Sequence, residues 1–172
     1  RHLIGKCIKV IEKSTLRGKS LCTHFPECGG CQLIDIPYSD QLKLKEHIIE
    51  DSLHHHLPKL INITKPIIPS KTNIFYRNKM EFAFSQNENK ELILGLKKRG
   101  HFDKVISISS CQLQSKTSNE ILEFTSNYFK KTNLSAWDPH QHKGCLRYLT
   151  IRHSKALNNY MLNLIVAEDH KD

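Results

Sequence analysis

The sequence predicts an α+β fold: an antiparallel sheet built from hairpins, two main helices packed on it, and a cysteine-rich loop. Two stretches of alternating apolar and polar residues, 77–99 and 146–167, each contain a turn, which is typical of β-hairpins. Two other stretches, 39–56 and 118–131, place apolar residues at helical spacing. Strands that arrive in hairpins pair antiparallel, so we expect the helices to cover the resulting sheet.

The N-terminal part contains a predicted strand and the first predicted helix. Residues 3–11, LIGKCIKVI, are expected to form a basic strand, whereas the loop from Ser14 to Pro37 has few periodic apolar residues. Ser39 is a suitable N-cap for a helix that continues to about His56. The apolar face of this helix is expected to consist of Leu42, Ile49 and Leu53.

The first hairpin is the most regular part of the sequence. A turn at residues 87–90 separates its two alternating strands. The apolar residues that share one side of these strands are Met80, Phe82, Phe84, Leu92, Leu94 and Leu96. A third short strand, Val105–Ile108, is predicted to lead into Cys111.

The second helix and the second hairpin complete the predicted fold. The apolar face of the helix within 118–131 is expected to consist of Ile121, Leu122, Thr125, Tyr128 and Phe129. Strands at 146–153 and 160–167 are joined across residues 155–159. Periodicity predicts that the aromatic residues of the core are Phe82, Phe84, Tyr128 and Phe129.

Composition and charge limit the possible functions. The 172 residues include 26 Lys and Arg against 17 Asp and Glu, and the net charge of +9 fits a polyanionic partner, with nucleic acid the leading candidate. No apolar run approaches the ~20 residues needed to cross a bilayer. No signal peptide is visible, although the chain opens with Arg1 rather than Met. We therefore expect a cytoplasmic piece of a larger protein, with no membrane contact.

The six cysteines indicate the chemistry of the chain. Cys22, Cys28 and Cys31 lie within ten residues of one loop, and Cys111 is a possible fourth member of the group. A structural zinc site usually pairs two close-spaced C-x-x-C knuckles, whereas three ligands from one loop and a distant fourth are common for iron–sulfur clusters. Spacing alone therefore favours an iron–sulfur cluster, with zinc second and a redox pair or disulfide third.

The cysteine loop also begins a family resemblance. The segment CTHFPECGGCQL at 22–33, followed by YSDQL at 38–42, resembles the iron–sulfur-containing RNA (uracil-5-)-methyltransferases. Further matches to this family are FYRNKMEFAF at 75–84, LGLKKRGHFDKVISISSCQL at 94–113 and LRYLTIRHS at 146–154. The resemblance covers nearly the whole chain, in the right order.

The resemblance implies a 4Fe–4S cluster bound by Cys22, Cys28, Cys31 and Cys111. It also implies that residues 1–20 are the remnant of an N-terminal OB-like RNA-binding domain and that residues 21–172 are the central iron–sulfur domain. The C-terminal domain that binds S-adenosylmethionine would be absent, together with the nucleophilic cysteine and the general base. No catalytic residue is therefore assigned, and the chain alone is expected to be inactive.

Basic residues at the ends of the predicted strands are the candidate RNA contacts, because phosphate contacts supply most nucleic-acid affinity. They are Arg77, Lys79, Lys97, Lys98, Arg99, Arg147 and Arg152. Trp137 could stack on a base, although packing against the sheet is the favoured interpretation. Cys7 and Cys145 are interpreted as small buried hydrophobic residues and not as nucleophiles.

The resemblance implies that this chain is the central 4Fe–4S-binding, RNA-binding part of an S-adenosylmethionine-dependent methyltransferase that makes 5-methyluridine, with 23S ribosomal RNA as the expected substrate. The expected partner is structured RNA, not DNA, and no obligate protein partner is evident. The first alternative is a stand-alone zinc-containing nucleic-acid-binding module, which would be colourless where a 4Fe–4S protein is brown. The second is a ferredoxin-like electron carrier, but a carrier that docks with basic partners should be acidic, and this chain is basic.

Overall fold

The computed structural model describes residues 3, 5, 7–57 and 64–167. The chain forms two compact units, one from residues 1–21 and 33–69 and the other from residues 22–32 and 70–172. Across the described ranges, no helix is both long enough and apolar enough to span a membrane. The assignment of residues 1–20 to a separate OB-like domain stays a prediction.

The first unit contains helix α1, Tyr38–His56. Pro37, with a φ of −52°, occupies the N-cap and no side chain caps the helix, so the prediction that Ser39 is the cap was wrong. Proline suits this position because its ring already holds φ near the helical value and it has no N–H to satisfy. The Gln41 amide donates to two backbone carbonyls of the preceding turn, at 3.0 and 2.8 Å, and holds that turn in place.

The segment that precedes α1 also differs from the prediction. The described residues within 3–11 form no strand, and the side chains of Leu3, Ile8 and Ile11 are exposed. A strand needs a partner for its backbone N–H and C=O groups, and no described residue pairs with this segment. Later in the same unit, the Arg17 guanidinium donates to both carboxylate oxygens of Asp35, at 2.7 and 2.9 Å.

The second unit contains the sheet. Its strands are β1 Lys79–Gln86, β2 Leu92–Lys97, β3 Val105–Ser107, β4 Leu146–Ser154 and β5 Asn159–Val166. In the described part of this unit they form one antiparallel sheet of five strands in the order β3-β2-β1-β4-β5, which confirms the predicted fold class and both predicted hairpins. Helix α2, Lys116–Phe129, begins after Ser115, whose side chain accepts the Ser118 N–H at 3.2 Å.

The core lies between the sheet and α2. Its most deeply buried apolar side chains are Phe82, Leu94, Leu122, Leu146 and Ile151. Phe84 is also buried, and its ring meets Phe129 of α2 edge-on at a centroid distance of 5.4 Å. Tyr128, which periodicity placed in the core, is instead 57% exposed and stacked on Phe124. It directly precedes Phe129 and so points about 100° away from it around the helix.

Gly95 on β2 lies directly opposite Ser107 on β3. A Cβ atom at this position would lie 1.8 Å from the Ile106 carbonyl oxygen, so only glycine allows the two strands to pair here. The β2–β3 turn, residues 98–104, connects these two strands.

Candidate functional site

The cysteine loop, residues 22–31, is attached to the end of β2 by backbone hydrogen bonds. Gly29 donates its N–H to the Lys97 carbonyl at 3.0 Å, and Arg99 donates its N–H to a carbonyl of the loop at 2.7 Å. A Cβ atom on Gly29 would lie 3.0 Å from the same Lys97 oxygen, which is tighter than ordinary contact. The loop is therefore held by the kind of backbone pairing that holds the sheet.

Side chains attach the cysteine loop at two further places. The Arg99 guanidinium donates to the Cys31 carbonyl and lies 5.1 Å from the centroid of the Phe25 ring, which is a cation–π contact. On the other side, the Nε2 atom of His24 accepts the Ser109 N–H at 3.2 Å. The first contact ties the loop to the β2–β3 turn, and the second ties it to the segment that follows β3.

Cys111 lies between β3 and α2 and is held by a side chain of the helix. The Asn119 Oδ1 accepts the Cys111 N–H at 2.8 Å, and the Asn119 Nδ2 donates to the Cys111 carbonyl at 3.1 Å. The buried side chain of Gln114 donates to the same Oδ1 at 2.8 Å. These bonds fix the backbone of Cys111, whose side chain is buried.

The four predicted ligands are close enough to affect one another's ionisation. The pKa of the Cys31 thiol is raised to about 11. Burial is the largest cause, repulsion from Cys111, Cys22 and Cys28 adds to it, and Arg77 acts in the opposite direction. Burial also raises the pKa of Cys111, with repulsion from two of the same cysteines. Cys31 and Cys111 therefore stay protonated at neutral pH unless a bound cation favours their thiolates.

The chemistry of this group is that of soft metal ligands. Thiolates select zinc, copper(I) or iron–sulfur clusters over the harder cations. In the segments that the structure describes, no three His, Cys, Asp or Glu side chains are arranged to hold a single metal ion. The four cysteines are therefore a candidate ligand set, and their assignment as ligands stays a prediction.

Three of the seven predicted RNA contacts lie beside the cysteine loop. Arg77 is half-buried and acts on the ionisation of two of the cysteines. Lys98 pairs with Glu27 of the loop at 3.9 Å, and Arg99 makes the contacts described above. Lys98 and Arg99 therefore contact the loop directly and Arg77 acts on its cysteines electrostatically, and the sequence alone did not reveal these roles.

The other four predicted RNA contacts lie on the sheet as two pairs. Lys79 on β1 is directly opposite Arg152 on β4. Lys97 on β2 and Arg147 on β4 line the same groove, which has a volume of about 370 Å³. Sheet pairing brings these residues together from distant places in the sequence. Their role as RNA contacts stays a prediction.

The groove contains aromatic residues as well as cations. Trp137 is half-buried and lines it, with the Arg147 guanidinium 5.5 Å from the centroid of its ring. Phe102, on the β2–β3 turn, also lines it and is 86% exposed. Sequence reasoning missed Phe102. The signal that could have found it is a lone aromatic residue in the basic segment KKRGHFDK at 97–104.

The two cysteines outside the predicted ligand set differ from each other. Cys145 is buried, as expected. Cys7 is exposed, so its interpretation as a buried residue was wrong. That interpretation required a strand at 3–11 to cover the side chain, and the described residues there form none.

Comparison with known proteins finds relatives that are named as RNA methyltransferases. No protein-family model matches it. An uncharacterized RNA methyltransferase of Nitratidesulfovibrio vulgaris is 33% identical over 156 residues, which are 88% of this chain and 32% of that protein. The tRNA (uracil(54)-C(5))-methyltransferase of Pyrococcus horikoshii is 29% identical over 160 residues, which are 93% of this chain and 36% of that enzyme. The homologues of this chain are RNA methyltransferases.

A solved structure of such a methyltransferase has the same fold. It is the crystal structure of Pyrococcus abyssi tRNA (uracil-54, C5)-methyltransferase in complex with S-adenosyl-L-homocysteine. The TM-score is 0.67 at 25% sequence identity, over 94% of this chain and 35% of that one. The chain spans about a third of the length of the RNA methyltransferases that it matches.

Proposed function

We propose that this chain is the RNA-binding, 4Fe–4S-binding part of an S-adenosylmethionine-dependent methyltransferase that converts uridine in RNA to 5-methyluridine. The observation that carries the proposal is the grouping of four thiols, three from one loop and one about 80 residues further on, beside a basic sheet. Homology to RNA methyltransferases supports it, since relatives are named as acting on uracil C5 in transfer RNA.

The spacing of the cysteines favours an iron–sulfur cluster over a single zinc ion. Three of the proposed ligands come from one loop and the fourth from a distant position, which is common for iron–sulfur clusters, whereas a structural zinc site usually pairs two close-spaced C-x-x-C knuckles. The Gly30 N–H also donates to the Cys28 sulfur at 3.3 Å, and hydrogen bonds of this type tune cluster sulfurs.

The cluster would be held by Cys22, Cys28, Cys31 and Cys111. When bound, it would supply positive charge that stabilises the four thiolates and a cross-link between the cysteine loop and the segment after β3. The proposed role is structural, because nothing in the reaction below requires an electron from this site.

RNA is the ligand that the charge of the chain favours. The net charge is +9, and four of the cations lie on the sheet in the pairs described above. Phosphate contacts of this type supply most of the affinity for a nucleic acid. The sequence predicts 23S ribosomal RNA as the substrate, whereas the named relatives act on transfer RNA, so both RNAs belong in the test.

The reaction requires groups that the proposal does not place in this chain. Uracil C5 becomes nucleophilic only after a thiolate adds at C6; it then attacks the methyl group of S-adenosylmethionine, and a base removes the C5 proton so that the thiolate can leave. Neither Cys7 nor Cys145 is assigned as that thiolate. We expect the 172-residue chain to bind RNA without transferring a methyl group to it.

Metal analysis tests the first half of the proposal. Anaerobic purification should yield roughly four iron and four sulfide per chain, with a broad absorption near ~400 nm. Stoichiometric zinc in a colourless protein would overturn the cluster and support the zinc-module alternative.

RNA binding and methyl transfer test the second half. If the four sheet cations contact phosphates, the logarithm of the affinity for structured RNA should fall against the logarithm of salt concentration with a slope of about −3 to −4. A flat salt dependence would contradict RNA binding by this surface. A longer protein that contains this chain should transfer a radioactive methyl group from S-adenosylmethionine to a 23S ribosomal RNA fragment or to transfer RNA, and failure with both would overturn the enzymatic assignment.

A further inference from the structure

The groove between the β2–β3 turn and the start of β4 differs from an ordinary basic surface. We call it the aromatic groove and define it by Lys97, Phe102, Trp137, His140, Arg147 and Tyr148. Its volume of about 370 Å³ lies near the lower end of the ~300–1,000 Å³ that is typical of small-ligand sites. A space of this size suits one nucleotide and is too small for a duplex.

Trp137 and Arg147 form one wall of the aromatic groove. The guanidinium lies 5.5 Å from the centroid of the indole ring, and Arg147 itself is exposed. A β-bulge in β4, between Leu146 and Tyr148, takes Arg147 out of the regular alternation of the strand. The Trp137 N–H donates to the Leu146 carbonyl at 2.8 Å, which fixes the backbone under the indole. The wall is therefore set by the sheet itself.

Phe102 lies on the β2–β3 turn and lines the aromatic groove from there. The turn is closed by the Lys98 N–H, which donates to the Lys104 carbonyl at 2.9 Å, and by the His101 N–H, which donates to the Lys98 carbonyl at 3.0 Å. At 86% exposure the Phe102 ring contributes almost nothing to the core. A hydrogen-bonded turn that presents a bare aromatic ring among cations is the arrangement found in sites that stack unpaired bases.

We propose that the aromatic groove binds one unpaired nucleotide of the RNA. The base stacks on the Arg147–Trp137 wall and against Phe102, and its phosphate lies at Lys97. Asp103 adds a carboxylate to the lining, which can accept a hydrogen bond from the amino group of a base. The inference rests on the proposed RNA-binding function and goes further, because it names one groove and a single-stranded element of the substrate.

The fluorescence of Trp137 gives a direct test, because it is the single tryptophan of the chain. Titration of the 172-residue chain with single-stranded pentaadenylate should quench the emission saturably. Phe102→Ala should weaken this binding at least about fivefold, as expected for the loss of one stacking contact. Arg147→Lys should also weaken it, because lysine keeps the charge but has no planar group to stack.

The matched control is Phe124→Ala. Phe124 is also an exposed phenylalanine, at 71%, but it lies on α2 and does not line the groove. This variant should bind pentaadenylate as the unchanged chain does. Equal losses of affinity in Phe102→Ala and Phe124→Ala would overturn the assignment of the groove.

Fluorescence anisotropy of labelled structured RNA separates this inference from the proposed function. Structured RNA could bind although pentaadenylate leaves the Trp137 emission unchanged and Phe102→Ala binds structured RNA as tightly as the unchanged chain does. In that case the groove is not a nucleotide site and the RNA-binding function stands. If neither RNA binds, both proposals are overturned.

Discussion

Cys111→Ala and Cys145→Ala should have equal effects on the metal-free chain and very different effects on the cluster-loaded chain. The two side chains are equally buried, at 7% and 5% exposure, and belong to the same core. Removing one buried sulfur from a packed core costs about 1 kcal/mol. In the metal-free chain we therefore expect each variant to melt about 2–4 °C lower than the unchanged chain.

The bound cluster adds a cross-link that Cys111→Ala would break. A link between Cys31 and Cys111 closes a loop of about 80 residues, for which the chain-entropy relation gives about 4.5 kcal/mol. Cys111→Ala should lose this stabilisation as well as the packing, whereas Cys145→Ala should keep the cross-link. The loaded variants should then differ in melting temperature by roughly 10 °C or more.

The measurement is a thermal melt followed by circular dichroism under anaerobic conditions, before and after removal of iron with a chelator, together with iron content. Equal melting temperatures and equal iron contents for the two loaded variants would refute Cys111 as a ligand. If Cys111→Ala were the more damaging change in the metal-free chain too, the effect would come from packing and the cross-link argument would fail.

Three further predictions concern the surroundings of the two sites. Gly144→Ala should lower the free energy of unfolding, measured in urea, by about 2 kcal/mol or more, because φ is +102° and the new Cβ atom would lie 2.1 Å from a carbonyl oxygen. The control is Gly100→Ala, where φ is +74° and the space is open, and it should cost only about 1 kcal/mol. Equal losses in the two variants would contradict the prediction. Two backbone N–H groups lower the pKa of Asp138 below 3.8. The stability that its carboxylate contributes is therefore present above the unfolded-state pKa and is lost as the pH falls through the lower folded-state pKa. Asp138→Asn should abolish that loss, and an NMR titration that gives Asp138 a pKa of 3.8 or more would contradict the prediction. Arg99→Lys should speed the decay of absorbance near ~400 nm, because lysine cannot both donate to the loop carbonyl and stack on an aromatic ring; an unchanged rate would show that this contact does not hold the loop.

The parts of the fold that the sequence predicted correctly are those set by local alternation. In the β1–β2 hairpin, Phe82 and Leu94 are buried as their period requires, because a strand that covers one core places every second side chain in it. The predictions at residues 3–11 and Ser39 were wrong for reasons that local patterns do not contain. A strand exists only where a partner supplies hydrogen bonds, and here the backbone of Pro37 starts the helix without a side-chain cap.

The candidate site divides in a similar way. The spacing of Cys22, Cys28 and Cys31 marks them as a group because one short loop must keep them together. The aromatic groove has no such local signature. Phe102 and Trp137 are distant in sequence, and only the antiparallel pairing of the sheet, with its bulge before Tyr148, makes them line one cavity.

The sequence by itself determined the charge, the hairpins, the second helix and the loop that carries three thiols, since each depends on residues that are neighbours along the chain. Only the tertiary structure decided which cations support the cysteine loop and which line the aromatic groove. The physical reason is that a basic side chain has the same chemistry everywhere in the sequence. Its role depends on whether folding places a loop carbonyl beside it, as at Arg99, or leaves it exposed against an indole ring, as at Arg147.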